Sequence, residues 1–293
     1  MKAICRDFGN FSPSRKAIIL RKEVPFPNPA MTEKAAAYVV APRSVRSYFK
    51  GWGAVAPLVN PRHTDVPTLR GADIAALYYK VRVAGDFYEF LRVGPSRVLF
   101  GLLDLAGRRE DTREILIATQ NTFRIRAPKL FAGRDFNEAE AMIELCYEIN
   151  RTILQFAEGV RSCPAFIGCY NEDLGTVCYA NAGHTPGLLR DGTGITQLEA
   201  TGLPLGLFSH VTQSASTCAL VPGAALLILS RGIAEGGYRG EEFGLERVRE
   251  TFQKADFLTA QELCVTILEA AQQFMGAPPS HNDVTTLALL RDV

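Results

Sequence analysis

The chain has 293 residues, of which 47% are hydrophobic and 22% charged, and its formal net charge at pH 7 is +1. This balance is that of an ordinary globular protein, and it provides no general attraction to nucleic acid or to an anionic membrane. No window reaches the roughly 18 uncharged apolar residues of a membrane span. The N-terminus lacks the apolar core of a signal peptide, so we expect a cytoplasmic protein with no nucleic-acid or membrane partner.

Residues 1–64 differ in composition from the rest of the chain. They contain seven prolines, scattered aromatic residues and basic clusters, with little sustained periodicity. This pattern predicts an N-terminal extension that is irregular or partly helical, followed by one domain over residues 65–293.

From residue 65 onward the hydrophobic pattern predicts a series of strands and helices. Strands are predicted where short apolar or alternating segments are bounded by glycine, proline or turn residues. They cover residues 74–80, 87–92, 97–105, 165–170, 176–181, 187–190, 195–198, 214–220, 224–230 and 284–290.

Two pairs of helices interrupt these strands. The second helix of the first pair begins at a capping box formed by Asn137 and Glu140. The second pair has one helix over about 242–252 and another that begins at Thr259, with Glu262 completing a second box. The elements follow in the order strands, helix pair, strands, helix pair and strand. This order lacks the regular alternation of strand and helix that is typical of a parallel sheet. It predicts a layered α+β domain with mostly antiparallel sheets.

The seven cysteines form no Cys-x-x-Cys pair. Cys146 and Cys264 fall in helical patterns, whereas Cys169 and Cys178 fall in strand patterns. This distribution favours buried, reduced thiols over zinc ligands or disulfides.

Acidic residues stand beside glycine at the ends of the predicted strands. Gly85 and Asp86 lie between two strands, and Asp104 precedes a glycine-containing turn. Glycine allows close approach of the backbone, so such carboxylates are placed to direct oxygen atoms at a hard cation. Taken singly, each is also typical of an ordinary turn or cap aspartate.

The motifs taken together resemble the PPM metal-dependent protein phosphatases of the bacterial SpoIIE and RsbU type. The chain has Gly-Asp-Phe-Tyr-Glu at 85–89, Asp-Leu-Ala-Gly at 104–107 and Asn-Ala-Gly-His at 181–184. Ser-Arg-Gly at 230–232 and Asn-Asp-Val-Thr at 282–285 stand where that family has Thr-Asp-Gly and Asp-Asp-x-Thr. The resemblance spans residues 67–293. It implies an α-β-β-α sandwich of two mostly antiparallel sheets flanked by helices.

The resemblance also implies two manganese or magnesium ions that activate a water molecule for attack on phosphoserine or phosphothreonine. Asp104 matches the residue that bridges the two ions, and the backbone carbonyl of Leu105 completes the ligand set of one ion. Asp86 matches an aspartate in the outer part of the same cluster. Asp86 and Asp104 are therefore the candidate catalytic residues. Four further residues are implied near the site: Gly85, Asn181, Gly183 and His184.

Two metal-ligand positions depart from the family pattern. Arg231 stands where the family has the second-metal aspartate, and Asn282 stands where it has the terminal one, with Asp283 beside it as a candidate replacement. At an effective dielectric near 20, one charge pair 4 Å apart is worth about 4 kcal/mol, and a guanidinium reverses the sign of that interaction toward a dication. We therefore expect at most one manganese or magnesium ion with normal affinity.

The sequence leaves three orientations of Arg231 open. Its guanidinium pairs with Asp104 in place of an ion, grips a phosphate bidentately, or points to solvent. His184 fits an ordinary hydrogen-bonded turn residue better than a base or a ligand.

Two functions follow from these alternatives. One is an impaired or inactive phosphatase, a pseudophosphatase that acts by binding a phosphoprotein or regulatory partner. The other is a weakly active one-metal phosphatase. The family resemblance implies an anti-sigma-factor antagonist as the partner or substrate in either case.

Overall fold

The computed structural model describes residues 36–39, 65–80, 85–107, 109–133, 136–157, 161–210, 212–276 and 282–293. The predicted extension, residues 1–64, lies outside the described residues except for one short strand at 36–39. The boundary predicted near residue 65 stays a prediction.

Thirteen strands and five helices are present in the described residues. The strands are β1 (Ala36–Val39), β2 (Ala72–Lys80), β3 (Asp86–Arg92), β4 (Arg97–Asp104), β5 (Ala165–Asn171), β6 (Thr176–Ala182), β7 (Gly187–Asp191), β8 (Gly194–Leu198), β9 (Ser216–Ala219), β10 (Ala225–Leu229), β11 (Gly237–Tyr238), β12 (Glu241–Glu242) and β13 (Val284–Arg291). The helices are α1 (Arg109–Leu130), α2 (Glu138–Phe156), α3 (Arg231–Ala234), α4 (Gly244–Lys254) and α5 (Ala260–Met275).

The strands form two large antiparallel sheets. One has six strands in the order β1-β2-β13-β10-β7-β8, and the other has five in the order β3-β4-β5-β6-β9. The short strands β11 and β12 form a separate hairpin. Every pairing between named strands in the described residues is antiparallel. The α+β prediction of two mostly antiparallel sheets is confirmed.

Three hydrophobic cores stack the sheets and helices into four layers. The central core lies between the sheets and contains Phe100 and Phe166 of the five-stranded sheet against Leu226 and Leu287 of the six-stranded one. A second core packs α1 and α2 on the outer face of the five-stranded sheet. The third packs α4 and α5 on the outer face of the six-stranded sheet. The predicted α-β-β-α sandwich is therefore confirmed. None of the described helices is both long and apolar enough to cross a bilayer.

The two capping boxes form only in part. The side chain of Asn137 accepts hydrogen bonds from the backbone N–H groups of Ala139 and Glu140, at 3.0 and 3.4 Å. The hydroxyl of Thr259 likewise accepts from the N–H of Glu262 at 3.1 Å. In neither helix does the glutamate return to the N–H of the capping residue itself. Glu140 accepts from the Asn137 amide group, and Glu262 accepts from the N–H of Leu258.

The helix predicted at 242–252 begins two residues later, at Gly244. Glu241 and Glu242 pair instead with Gly237 and Tyr238 in the β11–β12 hairpin. The six described cysteines are all free thiols, and five of them are buried.

Glu172, in the turn between β5 and β6, ties that turn to β3 and to the segment before β2. Its side chain is fully shielded from solvent and accepts two hydrogen bonds from the guanidinium of Arg92, at 3.0 and 2.8 Å. It also accepts from the backbone N–H of Arg70 at 3.0 Å. The hydrogen bonds from Arg92 are the main reason why the pKa of Glu172 falls to about 2.

We predict that Glu172→Gln lowers the free energy of unfolding at pH 7 by about 1–2 kcal/mol, because the charge-assisted bonds to Arg92 are lost. The pKa in the folded state lies below the ordinary value of 4.5. The contribution is therefore complete above about pH 4.5 and is lost as the pH falls toward 2. Denaturant unfolding at several pH values measures it.

The matched control is Glu241→Gln, which removes a partner of Arg247 from a carboxylate that is 71% exposed. Exposed ion pairs contribute little, so this variant should unfold like the wild type. Equal losses in the two variants, or a Glu172→Gln loss that does not shrink in acid, would contradict the prediction.

Candidate functional site

Asp86 and Asp104 face each other across two neighbouring strands. Asp86 begins β3, Asp104 ends β4, and the antiparallel register makes the two residues direct partners. Their exposed fractions are only 7% and 6%. Two carboxylates are thus held side by side in a largely buried position.

Gly85 and Leu105, the chain neighbours of these two carboxylates, are in close backbone contact. The N–H of Leu105 donates to the carbonyl oxygen of Gly85 at 3.2 Å. A Cβ atom on Gly85 would lie 2.2 Å from the carbonyl oxygen of Leu105. Only glycine therefore allows the start of β3 to approach the end of β4 so closely.

Arg231 reaches the Asp104 carboxylate from the other sheet. It follows β10 as the first residue of the short helix α3, and its Nε atom donates to Oδ2 of Asp104 at 2.6 Å. The Arg231 side chain is 42% exposed, whereas that of Asp104 is 8% exposed. The hydrogen bond to Asp104 raises the pKa of Arg231 above its already high ordinary value. A permanent cation is therefore bound to the carboxylate that would bridge two metal ions.

A network of hydrogen bonds joins the end of β10 to the start of β13. The N–H of Ser230 donates to the carbonyl of Thr285, and the N–H of Thr285 donates to the hydroxyl of Ser230, both at 2.9 Å. The Ser230 hydroxyl donates in turn to the carbonyl of Asp283 at 3.1 Å. A Cβ atom on Gly232 would lie 2.0 Å from that same carbonyl oxygen. This network fixes the backbone on which Arg231 and Asp283 are carried.

The same segment also supplies a hydroxyl to Asp86. The Thr285 side chain donates to Oδ2 of Asp86 at 2.8 Å. Burial is nevertheless the main influence on Asp86, and it raises the pKa of this carboxyl well above its usual range. The neighbouring charges of Asp104 and Asp283 act in the same direction, while the Thr285 hydrogen bond opposes them.

Asp283 and Asn282 point to different partners. Asp283 is 1% exposed, and its Oδ2 atom accepts a hydrogen bond from the Tyr78 hydroxyl at 2.7 Å. Asn282 instead donates from its amide to Oε2 of Glu235 at 3.3 Å, in an exposed position. Asp283 is close enough to Asp86 for its charge to raise the pKa of that carboxyl, whereas the side chain of Asn282 is hydrogen-bonded to Glu235.

Asn181, Gly183 and His184 form a tight turn after β6. The side-chain oxygen of Asn181 accepts from the N–H of His184 at 2.8 Å, and Gly183 has a φ of +64°. The Nδ1 atom of His184 donates to the carbonyl of Thr185 at 3.1 Å. Burial lowers the pKa of His184 to about 4, so the ring is neutral at pH 7. Its Nε2 atom is buried and has no hydrogen-bond partner among the described residues.

The donor set does not fit the two-ion site that the resemblance implies. Arg231 is bound to one oxygen of Asp104, Thr285 to one oxygen of Asp86, and Tyr78 to one oxygen of Asp283. Within the described residues no group of three or more histidine, cysteine, aspartate or glutamate side chains is arranged to hold a metal ion. Hard divalent cations require several converging oxygen ligands, and here a guanidinium lies among them.

Sequence reasoning missed two contributors to the site. Tyr78 lies near the end of β2, far along the chain from Asp283, and no motif marks it. Thr285 belongs to a quoted motif, but its hydroxyl contact with Asp86 was not predicted. Its position two residues after Asp283 was the only available signal.

We predict that Gly85→Ala lowers the free energy of unfolding by about 1–3 kcal/mol, because the added methyl group collides with the Leu105 carbonyl. The matched control is Gly94→Ala, since a Cβ atom on Gly94 meets nothing within 4 Å. Urea denaturation of both variants measures the difference. Equal stability of the two variants would contradict the close backbone contact.

Comparison with known proteins identifies the family and the fold. The family model described as Stage II sporulation protein E (SpoIIE) matches residues 97–292. Among curated proteins, Protein IcfG of Synechocystis sp. is 22% identical over 254 aligned residues, which cover 78% of this chain and 39% of IcfG. The chain thus spans about two fifths of the length of that relative.

Two solved structures resemble the fold. The SiaA-PP2C domain of Pseudomonas aeruginosa superposes with a TM-score of 0.62 at 19% identity, covering 75% of this chain and 85% of that one. The RsbU and RsbW domains of Rv1364c from Mycobacterium tuberculosis give a TM-score of 0.61 at 22% identity, covering 77% and 61%. At such identities the similarity is one of fold. The family model covers about two thirds of the sequence, and the chain therefore belongs to the SpoIIE family of PP2C-type (PPM) phosphatase domains.

Proposed function

We propose that this SpoIIE-family domain is an impaired or inactive phosphatase that acts by binding a phosphoprotein or regulatory partner. The observation that carries the proposal is the 2.6 Å hydrogen bond from Arg231 Nε to Asp104 Oδ2. Family resemblance makes an anti-sigma-factor antagonist the expected partner. The protein holds at most one manganese or magnesium ion of normal affinity.

Electrostatics explain why this contact opposes two-metal chemistry. A metal ion at Asp104 would lie beside a guanidinium that is held against the same carboxylate. At 4 Å and an effective dielectric near 20, the repulsion between one such cation and each unit of metal charge is about 4 kcal/mol. Two-metal hydrolysis depends on both ions to activate water and to neutralise the leaving oxygen. Arg231 supplies a positive charge but neither a metal-bound water nor an open coordination position.

The alternative is a weakly active phosphatase that uses one ion. Asp86, Asp104, the Leu105 carbonyl and Asp283 would be its ligands. The burial of Asp283 near Asp86 is the observation in its favour. Against it, Arg231 and Tyr78 already bind an oxygen of Asp104 and of Asp283.

We predict that manganese-dependent hydrolysis of a generic phosphomonoester by the wild type equals that of Asp104→Ala. Asp104 is already neutralised by Arg231, so its removal costs no two-metal catalysis. Steady-state assays of the wild type and of a folded Asp104→Ala variant measure the two rates of hydrolysis. Activity that is present in the wild type and vanishes in Asp104→Ala would support the one-ion alternative and overturn the proposal.

We further predict that Arg231→Asp combined with Asn282→Asp produces manganese-dependent hydrolysis at least roughly a hundredfold above the wild type, because both missing carboxylates return. The control is Arg239→Asp, which makes the same arginine-to-aspartate substitution at an exposed turn. A folded double variant without a gain in activity would show that the loss of ligands is not the cause of inactivity.

A further inference from the structure

Residues 200–230 contain no aspartate, glutamate, lysine or arginine, although these residues make up 22% of the chain. Burial accounts for the last part of this segment, because all of residues 224–230 are buried. It does not account for the part before β10, where Thr212, Ser214, Ser216, Thr217 and Ala219 are exposed. Charged residues are normally concentrated at exposed positions. The segment therefore presents an uncharged surface to solvent.

Strand β9 lies in this uncharged surface and forms one edge of the five-stranded sheet. It pairs with β6 on one side, and no strand among the described residues pairs with its other side. Edge strands of natural sheets usually carry charged residues or proline that oppose pairing with another chain. The opposite edge strand of the same sheet, β3, carries Asp86, Glu89 and Arg92, whereas β9 has no charged side chain. The edge at β9 thus lacks the usual protection.

Two hydrogen bonds show which backbone groups of β9 face outward. The N–H of Leu220 donates to the carbonyl of Gly175 at 2.8 Å, and the N–H of Ser214 donates to that of Thr201 at 3.2 Å. In an antiparallel pair, hydrogen-bonded residues alternate with residues whose N–H and C=O groups point away from the partner strand. In the described residues the outward groups have no backbone hydrogen-bond partner. They belong to Ala215, Thr217 and Ala219.

Two copies of this edge are complementary to each other. A twofold axis at Thr217 would pair Thr217 with the second copy's Thr217, and Ala215 with the second copy's Ala219. Residues in such a hydrogen-bonded pair exchange both of their bonds, so the three pairs would form about six bonds between N–H and C=O groups. Every outward-facing backbone group from residue 215 to residue 219 would then have a partner.

The absence of charge favours a second copy over a different partner. A twofold interface brings the same surface of both copies together, so a charged residue near the axis faces a like charge. Like charges directly opposite each other are destabilising. The uncharged surface at residues 212–219 avoids this repulsion, whereas a phosphorylated or otherwise charged partner segment would find no opposite charge there.

We propose that the outer edge of β9 is a dimerisation surface, at which the five-stranded sheets of two copies join by antiparallel pairing centred on Thr217. Asp86 and Asp104 belong to β3 and β4, at the opposite edge of that sheet. The pairing therefore does not involve the candidate site, and the dimer carries two of them. The inference is independent of whether the domain hydrolyses a phosphomonoester.

Sedimentation velocity of the 293-residue chain over a range of concentrations tests the proposal. We expect a reversible dimer with a mass about twice the 32.1 kDa of one chain. A protein that is monomeric at every concentration would overturn the proposal, whether because another segment of the chain occupies the edge or because the edge stays open.

A lysine at the axis tests the location of the interface. Thr217→Lys should raise the dissociation constant of the dimer by roughly tenfold or more, because it places two positive charges opposite each other. Thr217 is exposed, so this variant should fold like the wild type. The matched control is Thr196→Lys, which makes the same substitution at an exposed threonine of β8, an edge strand of the six-stranded sheet. A dimer that Thr217→Lys leaves intact, or that both variants weaken equally, would overturn the assignment to β9.

A disulfide cross-link tests the register. Pairing centred on Thr217 places residue 216 of one copy opposite the second copy's Cys218 in a non-hydrogen-bonded pair, with Cα atoms about 4.5 Å apart, a separation that suits a disulfide. Copper phenanthroline should therefore link two copies of the Ser216→Cys variant. Oxidation is carried out at alkaline pH, since burial raises the pKa of the Cys218 thiol to about 11.

The control for the cross-link is Ser216→Cys combined with Cys218→Ser, which lacks the opposing thiol and should give no linked dimer. A Ser216→Cys variant that is dimeric in solution but forms no cross-link, or a cross-link that persists in the control, would overturn the pairing centred on Thr217.

Discussion

The hydrogen bond between Arg231 and Asp104 is the contact on which the proposed function depends. It joins the end of β4, in the five-stranded sheet, to the segment that follows β10, in the six-stranded sheet. In a two-metal phosphatase the corresponding carboxylate would bridge two ions. Here a side chain of the protein itself neutralises it. A guanidinium cannot activate water, so under the proposed function the positive charge is kept and the reactive metal-bound water is absent.

The fold accounts for the stability of this arrangement. Antiparallel pairing places Asp86 opposite Asp104, and Gly85 allows the backbone to close behind them. Across the sandwich, the bonds between Ser230 and Thr285 hold the end of β10 against β13 and so set the position of Arg231. Such rigidity is what a binding site requires, because a fixed donor loses little entropy when its ligand arrives.

Much of the fold could be predicted from the sequence, whereas less of the site could. Strand periodicity and the two helix pairs predicted a layered α+β domain with mostly antiparallel sheets, and the family resemblance implied the four-layer sandwich. The motif strings identified Asp86, Asp104 and Arg231. The contact of Tyr78 with Asp283 joins residues 205 positions apart, and local patterns carry no information about such a pair. The orientation of Arg231 depended on the distance between two sheets, which the sequence does not encode locally. Helix α4 begins at Gly244, two residues later than predicted, because Glu241 and Glu242 pair with Tyr238 and Gly237 in the β11–β12 hairpin.

The proposed function requires that the guanidinium of Arg231 excludes a metal ion from Asp104. Titration of manganese followed by electron paramagnetic resonance tests it directly, because it counts bound ions without requiring turnover. We expect weak manganese binding by the wild type and by Arg231→Lys, which keeps the charge, and clearly tighter binding by Arg231→Gln, which removes it. The same manganese affinity in all three proteins would show that Arg231 does not exclude the ion.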